Sequence, residues 1–154
     1  MDDFYRIDNT DKAILNILMK DARKPYSEIA RLVHVSPGTV HVRMHKMEEA
    51  GIVKDSKLFI DYAKLGIDIT SFIGIHLEKS ALFKNVKNDL EKVEEITNLF
   101  YTTGIYGLLA LIRCRDTAHL REIVQDKIQS IKGIQRTETM ISLEESISRP
   151  YLLR

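Results

Sequence analysis

The residues with the clearest capacity for chemistry lie on a predicted helix that begins at Ser36-Pro37, a capping residue followed by proline at the first helical position. No acidic residue occurs between Glu28 and Glu48, so the basic side chains there form a local positive patch in a chain of formal net charge +1. Small residues and a helix N-terminus allow close contact with DNA phosphates. The residues predicted to contact DNA are Ser36, Gly38, Thr39, His41, Val42, Arg43 and Lys46.

A helix-turn-helix would present this patch to DNA. A short helix from Ser27 to about Val33, the turn His34-Val35 and the helix from Ser36 follow each other in the order of that motif. Its second helix lies in the major groove, and the N-terminal residues of that helix meet base edges. The sequence therefore predicts a DNA-binding unit, although a three-helix structural module with an ordinary solvated face would show the same pattern.

The predicted contacts divide by their chemistry. Thr39 and His41 could reach base edges, whereas Arg43 and Lys46 could hold phosphates. Loss of the first pair would alter sequence choice, and loss of the second pair would weaken binding to any DNA.

A second group of chemically capable residues forms a turn rich in aromatic, hydroxyl and glycine residues: Tyr101-Thr102-Thr103-Gly104-Ile105-Tyr106-Gly107. Glycines expose backbone N–H groups, hydroxyls add donors and aromatic rings give a wall. Such a set suits a small zwitterion such as an amino acid. An ordinary hairpin turn remains the alternative.

Other chemistry is predicted to be absent. His41 and His45 are four residues apart on one helix face, but no nearby residue completes a metal site. Cys114 ends an apolar strand, where a small buried side chain is expected rather than a nucleophile. The sequence therefore predicts no catalytic residue, no metal site and no enzyme.

Composition places the chain among globular proteins. It is 44% hydrophobic and 29% charged, which favours a folded domain over disorder. A single cysteine excludes an intramolecular disulfide framework, and no apolar run approaches the roughly 20 residues that span a bilayer. The acidic start Met1-Asp2-Asp3-Phe4 does not resemble a signal peptide. We expect a cytoplasmic protein with no membrane partner.

The first part of the chain is predicted to form helices followed by a small β-hairpin, the wing of a winged helix-turn-helix. Asp8 can cap a first helix, and the second helix is expected to turn Leu32 inward. The recognition helix is expected to stop at Gly51. Ile52-Val53 and Leu58-Phe59-Ile60 then flank a polar tetrapeptide, which predicts a hairpin.

The second part alternates strands and helices. Its predicted strands are Phe72–Leu77, Ile96–Thr103, Leu108–Cys114 and Ile134–Leu143. One helix is predicted between the first and second strands, and another between the third and fourth. This order is that of a ferredoxin-like βαββαβ domain. The predicted fold is α+β, with a winged helix-turn-helix and linker over residues 1–65 and the βαββαβ domain over residues 66–154.

The predicted sheet has two apolar faces but helices for only one. Leu108, Ala110 and Ile112 lie on one face of the third strand, and Leu109 and Leu111 lie on the other. A sheet buried on both faces needs a second cover. The same face of another copy would supply it in a two-fold dimer. The alternative cover is a loop or the C-terminal segment from Ile147 to Leu153.

The chain resembles the leucine-responsive regulatory protein and asparagine regulator (Lrp/AsnC) family of feast/famine regulators. The resemblance is carried by the segments Asp8–Leu15, Ser36–Arg43, Tyr101–Tyr106, Ile128–Ile131 and Thr137–Leu143. The recognition helix and the Tyr-Thr-Thr-Gly turn are most similar to the asparagine-responsive branch.

The resemblance implies a winged helix-turn-helix joined to a ligand-binding βαββαβ domain. It also implies dimers paired through their sheets, assembly into octamers, and an amino acid bound near dimer–dimer contacts. Many members have Asp where this chain has Gly107, and that departure favours asparagine over leucine as effector.

Asparagine has a carboxylate, an ammonium and an amide that must all find partners. Backbone N–H groups and hydroxyls of the turn suit the carboxylate, the two tyrosines can bound the side chain, and more distant polar residues can complete the amide's bonds. The predicted effector residues are Tyr101, Thr102, Thr103, Gly104, Tyr106, Gln129, Thr137 and Thr139.

The sequence therefore predicts a regulator that binds double-stranded DNA, needs no cofactor and responds to an amino acid, with asparagine as the favoured effector. Two alternatives remain open at this stage. One is a DNA-organising protein without a required ligand. The other is an enzyme similar to sirohaem decarboxylases, which resemble this family; the basic patch at Arg31, Arg43 and Lys46 argues against it.

Overall fold

The fold is described from a computed structural model covering residues 5–154; Met1–Phe4, the acidic start noted above, lie outside the described residues. The chain forms two compact units. One contains the described residues up to Phe59 together with Ile147–Arg154, and the other contains Ile60–Ser146. The first unit ends at Phe59, six residues before the predicted domain boundary at residue 65. The C-terminal segment Ile147–Arg154 belongs to the first unit, whereas the sequence placed it in the second.

Three helices form the first unit: α1 (Asn9–Leu18), α2 (Tyr26–Leu32) and α3 (Pro37–Glu49). Asp8 caps α1 as predicted, and Asp11 completes a reciprocal capping box. The turn before α3 contains His34 at φ 58°, a left-handed conformation that histidine tolerates better than most residues. Beyond α3, Gly51 has φ +68°, which explains why the helix stops there.

The core of the first unit lies between the three helices. Ile14, Ile29, Val40 and Met47 are fully buried at its centre. The prediction that Leu32 faces inward is wrong, because its side chain is 59% exposed. Helix α2 has only seven residues, and it buries Ile29 and Ala30 one turn earlier.

The C-terminal segment is built into this unit through Asn16. The Asn16 amide donates to the Leu153 carbonyl at 2.9 Å, and the Leu153 N–H donates to Asn16 Oδ1 at 2.8 Å. The Leu153 side chain also packs against the helical core. This segment is therefore occupied in the first unit and does not serve as the cover of the sheet.

The predicted hairpin after α3 is wrong. Residues 52–60 form no strand. The N–H groups of Ile52 and Val53 both donate to the Met47 carbonyl and so close the end of α3. Leu58 and Phe59 are 76% and 95% exposed, so the segment has no buried face that would fix a strand register.

The second unit is the predicted βαββαβ domain. Its strands are β1 (Ile69–Leu77), β2 (Ile96–Tyr101), β3 (Leu108–Cys114) and β4 (Ile134–Ile141). They form one antiparallel sheet in the order β2-β3-β1-β4. Its helices are α4 (Phe83–Leu90) and α5 (Thr117–Glu122), and α5 continues as a π-helical turn over Ile123–Ile128.

The two faces of the sheet differ in burial. On the helix-covered face, Ile73, Ile75, Ala110 and Ile112 are fully buried. The other face, here called the open face, has apolar side chains that are partly or largely exposed. They are Phe72, Phe100, Leu109, Leu111 and Met140. Strand β3 therefore has apolar residues on both faces, as its alternation predicted.

Across residues 5–154, none of the helices has the length and apolar character required to cross a membrane.

Candidate DNA-binding and effector sites

The start of α3 is rigidly built and faces outward. Ser36 Oγ accepts the Thr39 N–H at 3.1 Å, and the two hydroxyl oxygens lie 2.8 Å apart. Val40, Met44 and Met47 fix the opposite side of the helix in the core. An open cleft follows the outer side and is lined by Tyr5, Ser36, Gly38, Thr39, Val42, Arg43 and Lys46.

Arg43 is less available than its sequence position suggests. Its guanidinium lies 2.8 Å from Asp8 Oδ2 and 2.9 Å from Asp11 Oδ1. The Asp11 side chain is only 1% exposed and also accepts the Tyr5 hydroxyl at 3.0 Å. These contacts raise the pKa of Arg43 further above its ordinary value. Arg43 therefore links α3 to the start of α1, and two carboxylates balance its charge.

The other predicted contact residues of α3 are exposed. Lys46 is exposed, and no ion pair involves it among residues 5–154. Val42 is 56% exposed, and the solvent-facing His41 ring meets the edge of Tyr26 at 5.8 Å between centroids. The net positive charge available to DNA on α3 thus comes from Lys46, while Arg31 is exposed at the end of α2.

The aromatic turn between β2 and β3, here called the effector hairpin (residues 101–107), borders a cavity of about 280 Å³. Four of the predicted effector residues line it together: Tyr101, Thr102, Gly104 and Tyr106. The Tyr101 ring also packs on Phe83 of α4, with centroids 4.3 Å apart. The cavity can therefore offer an aromatic wall and backbone groups to a ligand of amino-acid size.

Hydrogen bonds within the hairpin determine which groups remain for a ligand. The Thr102 hydroxyl donates to the Tyr106 carbonyl, and the Gly107 N–H donates to the Ile75 carbonyl at 2.9 Å. A Cβ at Gly104 would meet no atom within 4 Å, so this position is open space within the chain. The backbone around Gly104 is the accessible part of the turn.

The remaining predicted effector residues do not line this cavity. Gln129 Nε2 donates to Thr137 Oγ1 at 2.7 Å, so these two side chains are bonded to each other. Thr103 and Thr139 are exposed, and neither borders the cavity. The predicted effector residues are therefore separated into a group on the hairpin and a group formed by Gln129, just after the π-helical turn, and by Thr137 and Thr139 on β4.

Sequence reasoning missed three polar residues of the cavity. These are His76, Ser80 and Gln135. His76 is the second-last residue of β1 and lies on the open face, where strand alternation could have placed it. Ser80 begins a short 3-10 helix after β1, and Gln135 lies on β4. The approach of these elements to the hairpin depends on the order of strands in the sheet, which no local pattern specifies.

Comparison with known proteins reveals two matches along the chain. Residues 7–48 match the AsnC-type helix-turn-helix domain, and residues 70–152 match the Lrp/AsnC ligand binding domain. The chain belongs to the Lrp/AsnC family.

Individual members of the Lrp/AsnC family match over nearly the whole length. The chain is 43% identical to the regulatory protein AsnC of Haemophilus influenzae over 145 residues, which is 94% of this chain and 97% of that protein. The solved structure of Escherichia coli AsnC has a TM-score of 0.91 and 40% identity, and the match covers 97% of this chain and 100% of that one. A Neisseria meningitidis transcriptional regulator in complex with L-Met has the same fold, with a TM-score of 0.86 at 24% identity and 97% coverage of both chains.

The residues considered from the sequence for metal binding and for nucleophilic chemistry lie at separate places in the structure. In the part of the chain that the structure describes, no group of three or more His, Cys, Asp or Glu side chains could hold a metal ion. His45, one of the two histidines considered above, lies 3.5 Å from Glu49 on the exposed side of α3. Cys114 is buried, and burial raises the pKa of its thiol, which opposes nucleophilic reactivity.

Proposed function

We propose that this chain is a cytoplasmic transcriptional regulator that binds double-stranded DNA through α3. The observation that carries the proposal is the capped start of α3, whose outer side is exposed while its inner side is fixed in the core. A helix held in this way can enter a major groove without a change in the unit that supports it. The name and high identity of the H. influenzae relative support the same function.

Within α3, Gly38 and Thr39 allow close approach to base edges, and Lys46 supplies the phosphate contact. Ser36, His41 and Val42 contribute at the margins of the same surface. Arg43 contributes mainly by holding α3 in place, because its guanidinium is bound by Asp8 and Asp11.

The test of DNA binding uses Lys46→Ala, with Lys84→Ala on the other unit as a matched control. Loss of one phosphate contact reduces the slope of log affinity against log salt by about one. Lys46→Ala should show this change with specific and unrelated duplexes alike in fluorescence anisotropy, and Lys84→Ala should behave as wild type. Equal slopes for all three proteins would remove α3 from the interface.

We further propose that asparagine is the effector and that it binds at the effector hairpin. Backbone N–H groups around Gly104 receive the carboxylate, and the packed Tyr101 ring bounds the side chain. Gln129, Thr137, Thr139 and Thr103 join the site only if assembly brings them to it. A site built for an amide rejects leucine because buried polar groups would lose their partners.

Calorimetry on the full chain tests the effector, with Gly104→Val as the diagnostic variant. Asparagine should bind more tightly than leucine, and Gly104→Val should abolish binding while leaving DNA affinity unchanged. Because a Cβ at this position meets no atom within 4 Å, a clash of the added Cβ within the turn would not explain that loss. Equal binding of the two amino acids would refute the amide specificity. Binding of no amino acid would favour a DNA-organising protein without a ligand.

The chain is also proposed to form a homodimer through the open face, and dimers to assemble into an octamer. Phe72, Phe100, Leu109, Leu111 and Met140 supply the apolar surface of the dimer. The C-terminal segment, the alternative cover, is already bound to Asn16 in the first unit. With that segment bound in the first unit, we propose a second copy as the cover of the open face.

A further inference from the structure

The Tyr106 side chain leaves the effector hairpin and crosses the open face. Its ring lies directly on Gly74 of β1, since a Cβ at Gly74 would stand 2.5 Å from two ring carbons. Only glycine permits so close an approach between a ring and a strand. Tyr106 therefore bridges the hairpin and the centre of the sheet.

The far end of Tyr106 is held on β4. Its hydroxyl donates to Glu138 Oε2 at 2.9 Å, and Gly74 and Glu138 are partners in the sheet register. Glu138 Oε1 lies 3.1 Å from His76 Nε2 and 2.7 Å from the Arg136 guanidinium. The hydrogen bond from Tyr106 is the largest cause that lowers the pKa of Glu138. One carboxylate thus receives the hairpin tyrosine and two other donors.

The backbone next to the Tyr106 side chain is also hydrogen-bonded, and these bonds connect the position of the ring to the shape of the cavity. The Tyr106 carbonyl accepts the Thr102 hydroxyl, and the next N–H, from Gly107, donates to Ile75. His76 and Tyr106 both line the cavity of the effector hairpin. The position of the Tyr106 ring therefore determines one wall of that cavity and the course of the turn.

We propose that Glu138 is a positioning residue for the effector cavity: its carboxylate holds the Tyr106 ring on Gly74 and so fixes the binding shape of the hairpin. This inference rests on the proposed effector function. The Tyr106 hydroxyl is committed to Glu138, so it does not bind the effector itself. Because Glu138, His76 and Arg136 lie on the open face, a change in the hairpin reaches that face directly through this residue.

The experiment compares Tyr106→Phe, which keeps the ring and removes the hydroxyl, with Arg136→Gln, which removes another partner of Glu138. Hydrogen exchange of the amides of residues 101–107 is measured without ligand, and asparagine affinity is measured by calorimetry. A hydrogen bond to a charged group changes an equilibrium by about tenfold or more. Tyr106→Phe should accelerate hairpin exchange and weaken asparagine binding by about tenfold each, while the far-UV circular dichroism spectrum of the folded protein stays that of wild type. Arg136→Gln should have a much smaller effect on both.

Gly74→Ala supplies an independent variant, because it displaces the ring while keeping both Tyr106 and Glu138. It should weaken asparagine binding like Tyr106→Phe, and exchange in α1 should not change. Wild-type exchange and affinity in Tyr106→Phe would overturn this inference alone. Failure of the wild-type chain to bind asparagine would overturn the effector function and the inference with it, and would be recognised because wild-type calorimetry precedes any variant.

Discussion

Arg43 lies between the carboxylates of Asp8 and Asp11, and this position makes it the polar link between α3 and α1. Asp11 is buried and keeps the Tyr5 hydroxyl and the Asp8 N–H as further partners. A buried carboxylate with these donors is stable only while a cation balances its charge. The link therefore orients the recognition helix in addition to stabilising the unit.

Arg43→Ala should consequently destabilise the helix-turn-helix unit more than it weakens phosphate binding. Removing one partner of a buried polar group costs about 1–3 kcal/mol. Urea denaturation followed by circular dichroism should show this loss for Arg43→Ala and no loss for Lys46→Ala. Unchanged stability together with a reduced salt slope for Arg43→Ala would instead make Arg43 a phosphate ligand.

The same link predicts how stability depends on pH. The N–H of Asp11 and then the Arg43 guanidinium lower the pKa of Asp8 below its ordinary value. A carboxylate whose pKa is lower in the folded state than in the unfolded state stabilises the fold. That stabilisation is complete above the pKa of the unfolded state, and it is lost as the pH falls through the pKa of the folded state. Urea curves measured below pH 4 should thus show a smaller acid loss in Arg43→Ala than in wild type.

At the scale of elements, the C-terminal segment is a fourth part of the first unit. Asn16 presents a donor and an acceptor to the backbone of Leu153, much as a neighbouring strand would. Lys12 Nζ donates to the Arg154 carbonyl at 2.8 Å, so two residues of α1 hold the segment. Because β4 precedes this segment, the chain connects the ligand-binding unit to the helical unit at both ends.

Leu153→Asp should detach this segment, because a charge would replace an apolar side chain packed on the helical core. Unpaired burial of a charge is too costly to retain the contact. Hydrogen exchange should then increase in residues 147–154 and in α1, while the sheet stays protected. Tyr151→Asp is the control, since that side chain is 84% exposed. Equal exchange in both variants would show that the segment contributes nothing to α1.

Local patterns predicted most elements, and the failures have physical causes. Caps at Asp8 and Ser36, the stop at Gly51 and the period of β3 are each encoded within a few residues. The segment 52–60 has the composition of a hairpin, but apart from Val53 its residues are exposed, so no buried face fixes a strand register. The Arg43–Asp11 pair joins residues 32 apart in the sequence, and no periodicity specifies such a contact.

The same distinction separates the two parts of the candidate effector site. Tyr101, Thr102, Gly104 and Tyr106 lie within one turn, so the sequence alone brought them together. His76, Gln135 and the bond from Tyr106 to Glu138 depend on the order β3-β1-β4 across the sheet. Residues that meet only through sheet order cannot be found from local sequence.

For the whole molecule, the open face is the surface through which we propose that two copies pair. Leu109 and Leu111 lie at its centre on β3, beside Phe72 of β1 and Phe100 of β2. A contiguous apolar surface of this kind on a stable protein marks an interaction site. In a dimer with a two-fold axis, the open face of each copy would be buried against the open face of the other, so the same residues would lie on both sides of the interface.

Leu111→Asp and Leu109→Asp should therefore convert a dimer to a folded monomer. A charge on the open face meets water in the monomer but would be buried without a partner in the dimer, at a cost of several kcal/mol (about 3 or more). Sedimentation velocity at micromolar concentration should show the change, and circular dichroism should show retained secondary structure. Gln125→Asp, an exposed position on the helix side, should remain dimeric. A wild-type chain that sediments as a monomer at that concentration would refute pairing through the sheet, and the exposed leucines would then need another partner.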